Sequence, residues 1–228
     1  MPIENLMSDL ELRTEISLYY DLYLPKDNPP RSPLMITVHG YGAHKRYMMR
    51  EARLIAPDNF VIASLQGPHQ HFRKTDDGYR TGFGWLTDHR PEESIALHHQ
   101  FVLDVIDRLA ADDLIDRKQV WLYGFSQACA LNFRFAFMHP NVLRGVIGVC
   151  GGIPSDLDTN PLYNPFAADT LYIYDDDDEF YPLEKFKEFD EKLRSRLPNY
   201  RSKQFAAKHV ITDAMREEIG TFIRANLT

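Results

Sequence analysis

The sequence VWLYGFSQACAL (residues 120–131) decides the fold, because an apolar run meets one glycine and one serine and then becomes a small-residue amphipathic segment. This order predicts a buried strand that turns directly into a helix. Ser126 stands at the turn, and Gly124 precedes it by two residues. In a parallel sheet, a turn of this kind lifts the serine hydroxyl above the carboxyl ends of the strands, where ligands bind.

The spacing around Ser126 matches the nucleophile-elbow pattern G-x-S-x-G, except that Ala128 stands at the last position. Alanine is the next smallest residue and still lets the helix approach the strand. The motif alone leaves a second interpretation open, in which Ser126 is a helix N-cap after an ordinary core strand. The rest of the chain must decide between a nucleophile and a cap.

Apolar segments that read as strands alternate with amphipathic segments that read as helices. The apolar segments are PLMITVHG, NFVIASLQGP, KQVWLYG, VLRGVIGVCGG and DTLYIY. Such alternation predicts an α/β fold with a mostly parallel central sheet and helices on both faces. We expect one domain over residues 1–228. Residues 69–91 form a long connection of the kind that is usually functional or mobile.

Composition excludes several classes of protein. With 44% hydrophobic and 26% charged residues the chain is globular, and a net charge of -7 argues against nucleic acid or an anionic membrane as a partner. Cys129 and Cys150 form no CxxC pair, so we expect buried free thiols rather than zinc or a disulfide. The N-terminus does not resemble a signal peptide and no apolar run could span a bilayer, so we expect a cytoplasmic protein.

A serine nucleophile needs a base, and His209 is the best candidate of the nine histidines. It follows the last predicted strand and precedes the last helix, giving the chain order Ser…Asp…His. We expect His98, His99 and His139 to be surface or packing residues. His69 and His71 could form a metal pair in the long connection, but no third ligand is evident.

The acid should come from the run DDDDE (residues 175–179), which follows the predicted strand TLYIY. One carboxylate is enough to fix the tautomer of the histidine, and the rest of the run should be a solvated acidic turn. Spacing alone does not choose among the aspartates. If none of them serves, Asp156 or Asp158 is next in line.

The oxyanion of an attacked carbonyl needs two hydrogen-bond donors. The backbone N–H of Gln127, directly after the serine, supplies one. The loop VHGYGAH (residues 38–44) supplies the other, and its glycines, Gly40 among them, let the backbone come close to a substrate. A plain glycine turn is the alternative explanation of this loop.

The motifs HGYG, GFSQA, DDEFYP and KH resemble, in order and spacing, the phospholipase/carboxylesterase group of the α/β hydrolases, which includes acyl-protein thioesterases. The resemblance extends over nearly the whole chain from about Asp21. It places the acid four residues before a proline, and Pro182 identifies it as Asp178, whereas spacing alone would also allow Asp177. The chain departs from the group's motifs at Ala128, at Lys208 where glycine usually precedes the histidine, and at Trp85-Leu86-Thr87 where Trp-Phe-Asp is usual.

The resemblance implies an α/β-hydrolase fold without a separate lid domain, and an esterase or thioesterase with no metal and no organic cofactor. In this interpretation Ser126 attacks a small-molecule ester or thioester, His209 acts as base and then as acid, and Tyr41 and Gln127 N–H groups hold the oxyanion. Aromatic residues of the surrounding loops should bind the substrate, and the long connection should cover the site. The substrate-binding candidates are Gly40, Phe83, Trp85, Phe180 and Tyr181.

Two rival functions stay open at this point. One is another hydrolase on the same fold, such as a peptidase, a dienelactone hydrolase or a carbohydrate esterase, because fold does not choose among these activities. The other is a non-catalytic binding module, which an intact Ser–Asp–His set argues against. The sequence leaves the acyl group, the alcohol and the oligomeric state undetermined.

Overall fold

A computed structural model describes residues 6–26 and 29–227. Within them the strands are β1 (Tyr20–Tyr23), β2 (Ser32–Val38), β3 (Val61–Leu65), β4 (His69–Thr75), β5 (Gly78–Gly84), β6 (Ile115–Phe125), β7 (Gly145–Val149), β8 (Asp169–Asp175) and β9 (Tyr200–Phe205). Seven of them form one sheet in the order β1-β3-β2-β6-β7-β8-β9. Only β1 in this sheet is antiparallel to its neighbour. The predicted mostly parallel sheet is confirmed.

Helices cover both faces of this sheet. They are α1 (Lys45–Ile55), α2 (Pro91–Ala111), α3 (Gln127–Met138), α4 (Leu183–Arg194) and α5 (Asp213–Ala225). The apolar sides of α1 and α5 form one core with one face of the sheet, and those of α2, α3 and α4 form a second core on the other face. The central strands are buried on both sides, which explains why they read as unbroken apolar runs.

The long connection expected at residues 69–91 contains two strands that the sequence did not predict. It contains an antiparallel hairpin in which β4 pairs with β5 from His69↔Gly84 to Thr75↔Gly78. Asp76 and Asp77 form the tip, and Gly78 adopts a positive φ of 118°. Its base is joined to the loop after β2, because Gly42 N–H donates to Phe83 O at 2.8 Å and Phe83 N–H donates to Ala43 O at 3.2 Å.

The sheet brings three chain segments together at its carboxyl edge. Ser126 follows β6 at the centre, the acidic run follows β8, and His209 follows β9. The two cysteines are buried and free, as expected. Thr212 caps α5 by accepting a hydrogen bond from Met215 N–H at 3.3 Å, which fixes the direction in which the chain leaves His209.

Candidate active site

Ser126 occupies a strained turn between β6 and α3. Its φ and ψ are 58° and -121°, a region that non-glycine residues rarely adopt. The turn is held by two backbone hydrogen bonds, from Ser126 N–H to Val149 O at 2.9 Å and from Cys129 N–H to Ser126 O at 3.0 Å. Strain of this kind persists only where the surroundings enforce it, and it concentrates at functional sites.

Two glycines make this turn sterically possible. A Cβ at Gly124 would lie 2.5 Å from Asn132 Nδ2 and 3.1 Å from the Cβ of Ala128. A Cβ at Gly151, after β7, would lie 2.1 Å from the carbonyl oxygen of Ser126. Ala128 is fully buried, so its methyl group fits where the usual motif has glycine.

Ser126, His209 and Asp178 are joined by hydrogen bonds. His209 Nε2 lies 2.8 Å from Ser126 Oγ, and His209 Nδ1 lies 2.7 Å from Asp178 Oδ2. The imidazole also contacts two rings, with centroid distances of 4.8 Å to Phe125 and 4.6 Å to Phe180. This is the geometry in which a carboxylate fixes the histidine tautomer and leaves Nε2 free to accept the serine proton.

The Asp178 carboxylate is immobilised on both oxygens. While Oδ2 faces His209, Oδ1 accepts hydrogen bonds from the backbone N–H groups of Phe180 at 2.7 Å and Tyr181 at 3.1 Å. The side chain has no exposed surface. Neighbouring Glu179, which the sequence analysis did not single out, accepts the backbone N–H of His209 at 2.9 Å and so ties the histidine loop to the acidic run.

The other acidic residues have different positions. Asp176 and Asp177 are exposed, as expected, but the expectation of a solvated side chain is wrong for Asp175, which is fully buried at the end of β8. Cys150 Sγ donates to Asp175 Oδ2 at 2.8 Å, and burial raises the pKa of this carboxyl to about 6. Asp175 is buried because β8 extends one residue further than the sequence indicated.

The reserve candidates Asp156 and Asp158 lie away from His209. Asp156 forms an ion pair with Arg134 at 2.6 Å, and Asp158 forms one with Lys192 at 3.0 Å. Each therefore has an ordinary structural partner. The cluster formed by Cys150, Asp175 and Asp178 brings a thiol and two carboxylates within 4.8 Å, but its hydrogen bonds are made within the protein and to His209.

Two backbone N–H groups, one in the elbow and one in the loop after β2, are the candidates for the oxyanion donors. Gln127 is the first residue of α3, a position whose N–H has no acceptor within the helix. The N–H of Tyr41 forms no hydrogen bond within the described part of the chain. Gly40 packs directly on the elbow, since a Cβ there would lie 3.0 Å from the Cβ of Ser126. The loop after β2 is thus close enough to face a group bound at the serine.

The side chain of Gln127 fastens the segment after the hairpin to the elbow. Its Oε1 accepts from Trp85 N–H at 3.0 Å, and its Nε2 donates to Leu86 O at 2.9 Å. Trp85 in turn donates from Nε1 to His39 O at 2.9 Å. The sequence did not predict these contacts. A polar residue directly after the elbow, on a helix that is otherwise buried, could have indicated that its side chain has a partner nearby.

His39 is buried beneath the same loop in a fixed tautomer. Its Nδ1 donates to Gly40 O at 2.8 Å, while Nε2 accepts from Gly67 N–H at 2.9 Å. Burial lowers the pKa of His39 to about 4, so the ring is neutral near pH 7. A neutral ring with both nitrogens engaged holds the HGYG loop without placing a charge beneath the site.

A cavity of about 870 Å³ opens over Ser126 and His209. Of the predicted substrate-binding residues, Gly40, Phe180 and Tyr181 line it, together with Tyr41. Two predictions do not fit. Trp85 is 1% exposed and packs in the core under the HGYG loop, and Phe83 lines a separate depression beside His44 and Lys45. Both lie where the hairpin joins the loop after β2, so they support the cavity wall from behind.

The remaining histidines separate into packing and surface positions. His98 and His99 are buried and contact each other edge to face, and burial lowers their pKa values to about 3 and about 4. His139 packs against Phe135. His69 contacts Ser94 Oγ at 3.0 Å, while His71 stacks on the Tyr41 ring at 4.5 Å, so the two side chains have separate partners.

The chain is similar to known proteins in sequence and in fold. The family model described as Phospholipase/Carboxylesterase matches residues 24–227. NocK of Nocardia uniformis subsp. tsuyamanensis, whose name gives it as a candidate esterase, is 27% identical over 159 residues, which are 68% of this chain and 43% of that protein. The chain therefore spans less than half the length of that curated relative.

Solved structures share the fold. The carboxylesterase of Bacillus cereus matches with a TM-score of 0.73 at 15% identity, covering 92% of this chain and 95% of that one. Acyl-protein thioesterase 2 of Zea mays matches with a TM-score of 0.70 at 15% identity, covering 92% and 99%. The expected fold without a separate lid domain is confirmed. In the described residues, the helices are all too short or too polar to cross a membrane.

Proposed function

The chain belongs to the phospholipase/carboxylesterase family, and from this premise we propose that it is a serine esterase in which Ser126, His209 and Asp178 form the catalytic triad. The observation that carries the proposal is the unbroken hydrogen-bonded series from Ser126 Oγ through His209 to Asp178, with 2.8 Å and 2.7 Å separations. A binding module would have no need to keep a strained serine aligned with a histidine. Family membership places the chain among esterase- and thioesterase-type hydrolases.

Acylation follows from the proton-accepting position of His209. Ser126 Oγ forms a bond to the substrate carbonyl carbon while its proton passes to His209 Nε2. The resulting oxyanion accepts hydrogen bonds from the N–H groups of Tyr41 and Gln127, which is where such sites gain much of their rate. The tetrahedral intermediate then expels the alcohol, or the thiol of a thioester, which takes the proton from His209.

Deacylation repeats these steps with water as the nucleophile. Water gives a proton to His209 Nε2 and attacks the acyl carbon, and Ser126 leaves with that proton to regenerate the enzyme. Asp178 stabilises the imidazolium that forms in both halves of the reaction. The reaction as proposed draws on no metal and no organic cofactor, because every proton transfer is assigned to a residue of the site.

The cavity supports small ester substrates with short or medium acyl chains or aromatic groups. Its walls carry Tyr41, Tyr47, Phe180 and Tyr181, and none of the helices in the described part of the chain forms a lid above it. Enzymes without a lid have no closed state to open at an oil–water interface. We therefore expect no sharp rise in rate when a triglyceride exceeds its solubility limit.

Ester hydrolysis by matched variants tests the proposed function. Wild-type protein should hydrolyse 4-nitrophenyl butyrate, and Ser126→Ala should lose all but about 1% of that turnover while keeping its fold, since alanine fits the same turn. Ser155→Ala, at an exposed serine outside the elbow, is the control and should retain full activity. Substantial turnover by Ser126→Ala would contradict the assignment.

A further inference from the structure

The lining of the cavity over Ser126 is positively charged. Among the described residues that line it, Arg73 is the sole group that carries a permanent charge, and none is acidic. Asp178 and Glu179, the carboxylates bound to His209, both accept hydrogen bonds from that residue and do not line the cavity. A permanent cation in a cavity without acidic lining attracts anionic ligands. This contrasts with the chain as a whole, whose net charge is -7.

The hairpin places Arg73 against the loop that bears the proposed oxyanion donor. A Cβ at Gly42 would lie 3.3 Å from Arg73 Cδ and 3.9 Å from its Nη1. His71, two residues earlier on the same face of β4, stacks on the Tyr41 ring at 4.5 Å with an interplanar angle of 9°. The two backbone hydrogen bonds between the hairpin and residues 42–43 hold this ribbon in place.

Arg73 has no carboxylate partner within the described residues, whereas Arg80, opposite it in the hairpin register, pairs with Asp77 at 3.3 Å. An arginine stays charged at any physiological pH, and its planar fork matches the two oxygens of a carboxylate. The guanidinium of Arg73 is therefore available to a ligand in the cavity. That ligand would lie within the same space as Ser126 Oγ and His209.

The position of Arg73 also indicates which end of an ester it would contact. The leaving oxygen must face His209 Nε2 to be protonated, so the leaving group lies on the β8–β9 side of Ser126. The hairpin stands on the opposite side, beside the loop after β2, because β2 lies on one side of β6 in the sheet and β7, β8 and β9 lie on the other. The acyl group is thus the part of the substrate that can extend towards Arg73.

From this geometry we propose that Arg73 is a specificity-determining residue, and that the site favours esters whose acyl group ends in a carboxylate. The proposal rests on the proposed function, since it assumes attack by Ser126. A carboxylate held by Arg73 would anchor the acyl chain along the oxyanion loop. Because the contact exists before and after attack, its loss should act mainly through KM.

The test compares 4-nitrophenyl hydrogen adipate with its methyl ester, two substrates of similar length that differ in one charge. After correction for spontaneous hydrolysis, wild-type kcat/KM should be higher for the anionic ester. Arg73→Gln should lower kcat/KM for the anionic ester by roughly 10- to 100-fold and leave the methyl ester within about threefold. Arg73→Lys should restore part of the difference because it keeps the charge but loses the fork.

Arg80→Gln is the matched control, since it removes one positive charge from the same hairpin but lies outside the cavity lining. Arg80→Gln should leave kcat/KM for both esters unchanged. Equal losses on both esters for Arg73→Gln, or no wild-type preference for the anionic ester, would overturn the proposal. A preference for 4-acetoxybenzoate over its methyl ester, with no preference for the adipate, would overturn it by placing the anion on the alcohol side. Failure of the proposed function would look different. In that case the Ser126→Ala variant would hydrolyse the neutral methyl ester as fast as the wild-type protein does.

Discussion

Asp175 and Asp178 are both withdrawn from solvent, yet only Asp178 contacts His209. Asp178 Oδ2 lies 2.7 Å from His209 Nδ1, whereas Asp175 Oδ2 accepts a hydrogen bond from Cys150 at 2.8 Å. Asp175 is the last residue of β8, and the three residues that follow carry the chain over the sheet edge towards the histidine loop. Two carboxylates of one acidic run thus have separate environments and separate expected roles.

The first prediction separates these two carboxylates by activity. Asp178→Asn should lower kcat by about 10⁴, because an amide no longer fixes the productive histidine tautomer or stabilises the imidazolium. Asp175→Asn should stay within about tenfold of wild type, since Asn can still accept from the Cys150 thiol. Asp176→Asn and Asp177→Asn, at exposed positions, are controls for the loss of one charge. A loss of about 10⁴ in kcat in any of these variants other than Asp178→Asn would mean that the acid has been misassigned.

The second prediction concerns stability against pH. Burial lowers the pKa values of His39, His98 and His99 to about 4, about 3 and about 4. Between these values and the ordinary 6.5, the unfolded chain binds more protons than the folded one, so stability falls as the pH falls. Asp175 acts in the opposite direction, because its pKa is raised to about 6 and its protonated form favours the folded state.

Three histidines outweigh one carboxyl, so the free energy of unfolding should drop by about 2 kcal/mol or more between pH 7 and pH 5. Urea unfolding at several pH values measures this change. Asp175→Asn removes the opposing contribution and should make the drop steeper. A stability that is flat or rises on acidification over this range would contradict the neutral, buried state of these histidines.

The third prediction tests the packing that enforces the elbow. A methyl group at Gly151 would lie 2.1 Å from Ser126 O and 2.7 Å from Cys129 Sγ, which neither neighbour can relieve easily. Gly151→Ala should therefore lose about 100-fold or more in kcat and should also destabilise the fold. Gly152→Ala is the matched control for stability, because its Cβ would first meet the Tyr181 hydroxyl at 3.3 Å. A wild-type kcat in Gly151→Ala would show that the elbow does not depend on this close approach.

The fourth prediction concerns the Gln127 side chain. Gln127→Leu removes its hydrogen bonds to Trp85 N–H and Leu86 O and leaves both backbone groups without these partners. We expect a loss of about 1–3 kcal/mol in unfolding free energy, together with a lower kcat as the cavity wall moves. Gln100→Leu, on the exposed face of α2, should change stability by no more than about 0.5 kcal/mol. Equal effects of the two substitutions would remove the structural role proposed for Gln127.

The parallel sheet and the candidates Ser126 and His209 could be predicted from the sequence, because buried strands, turns and short motifs have local signatures. Asp178 was singled out among the aspartates only by the family resemblance, through its distance from Pro182. The hairpin at His69–Thr75 and Gly78–Gly84 was read as a connection, since its strands are exposed and lack an apolar pattern. The Asp77-Gly78 pair was an available hairpin signal. Phe83 and Trp85 were assigned to the cavity because they belong to the long connection that was expected to cover the site, but the direction of a side chain depends on packing across the sheet.

The contacts of Gln127, Glu179 and Arg73 were missed for a related reason. Each joins segments distant in the chain, such as Glu179 with the backbone of His209. Only the order of strands in the sheet determines which loops meet at its edge, and a single sequence does not give that order. Local rules together with the family resemblance therefore found the candidate triad, while its supporting contacts required the structure.

Covalent labelling tests the central claim most directly, namely that His209 and Asp178 activate Ser126 as the nucleophile. Protein treated with a fluorophosphonate should gain one adduct by intact-mass spectrometry, and peptide mapping should locate it at Ser126. The Ser126→Ala protein should gain none, and Asp178→Asn should react far more slowly than wild type while Asp177→Asn reacts normally. An adduct on another residue, or labelling of Ser126→Ala at the wild-type rate, would contradict the account.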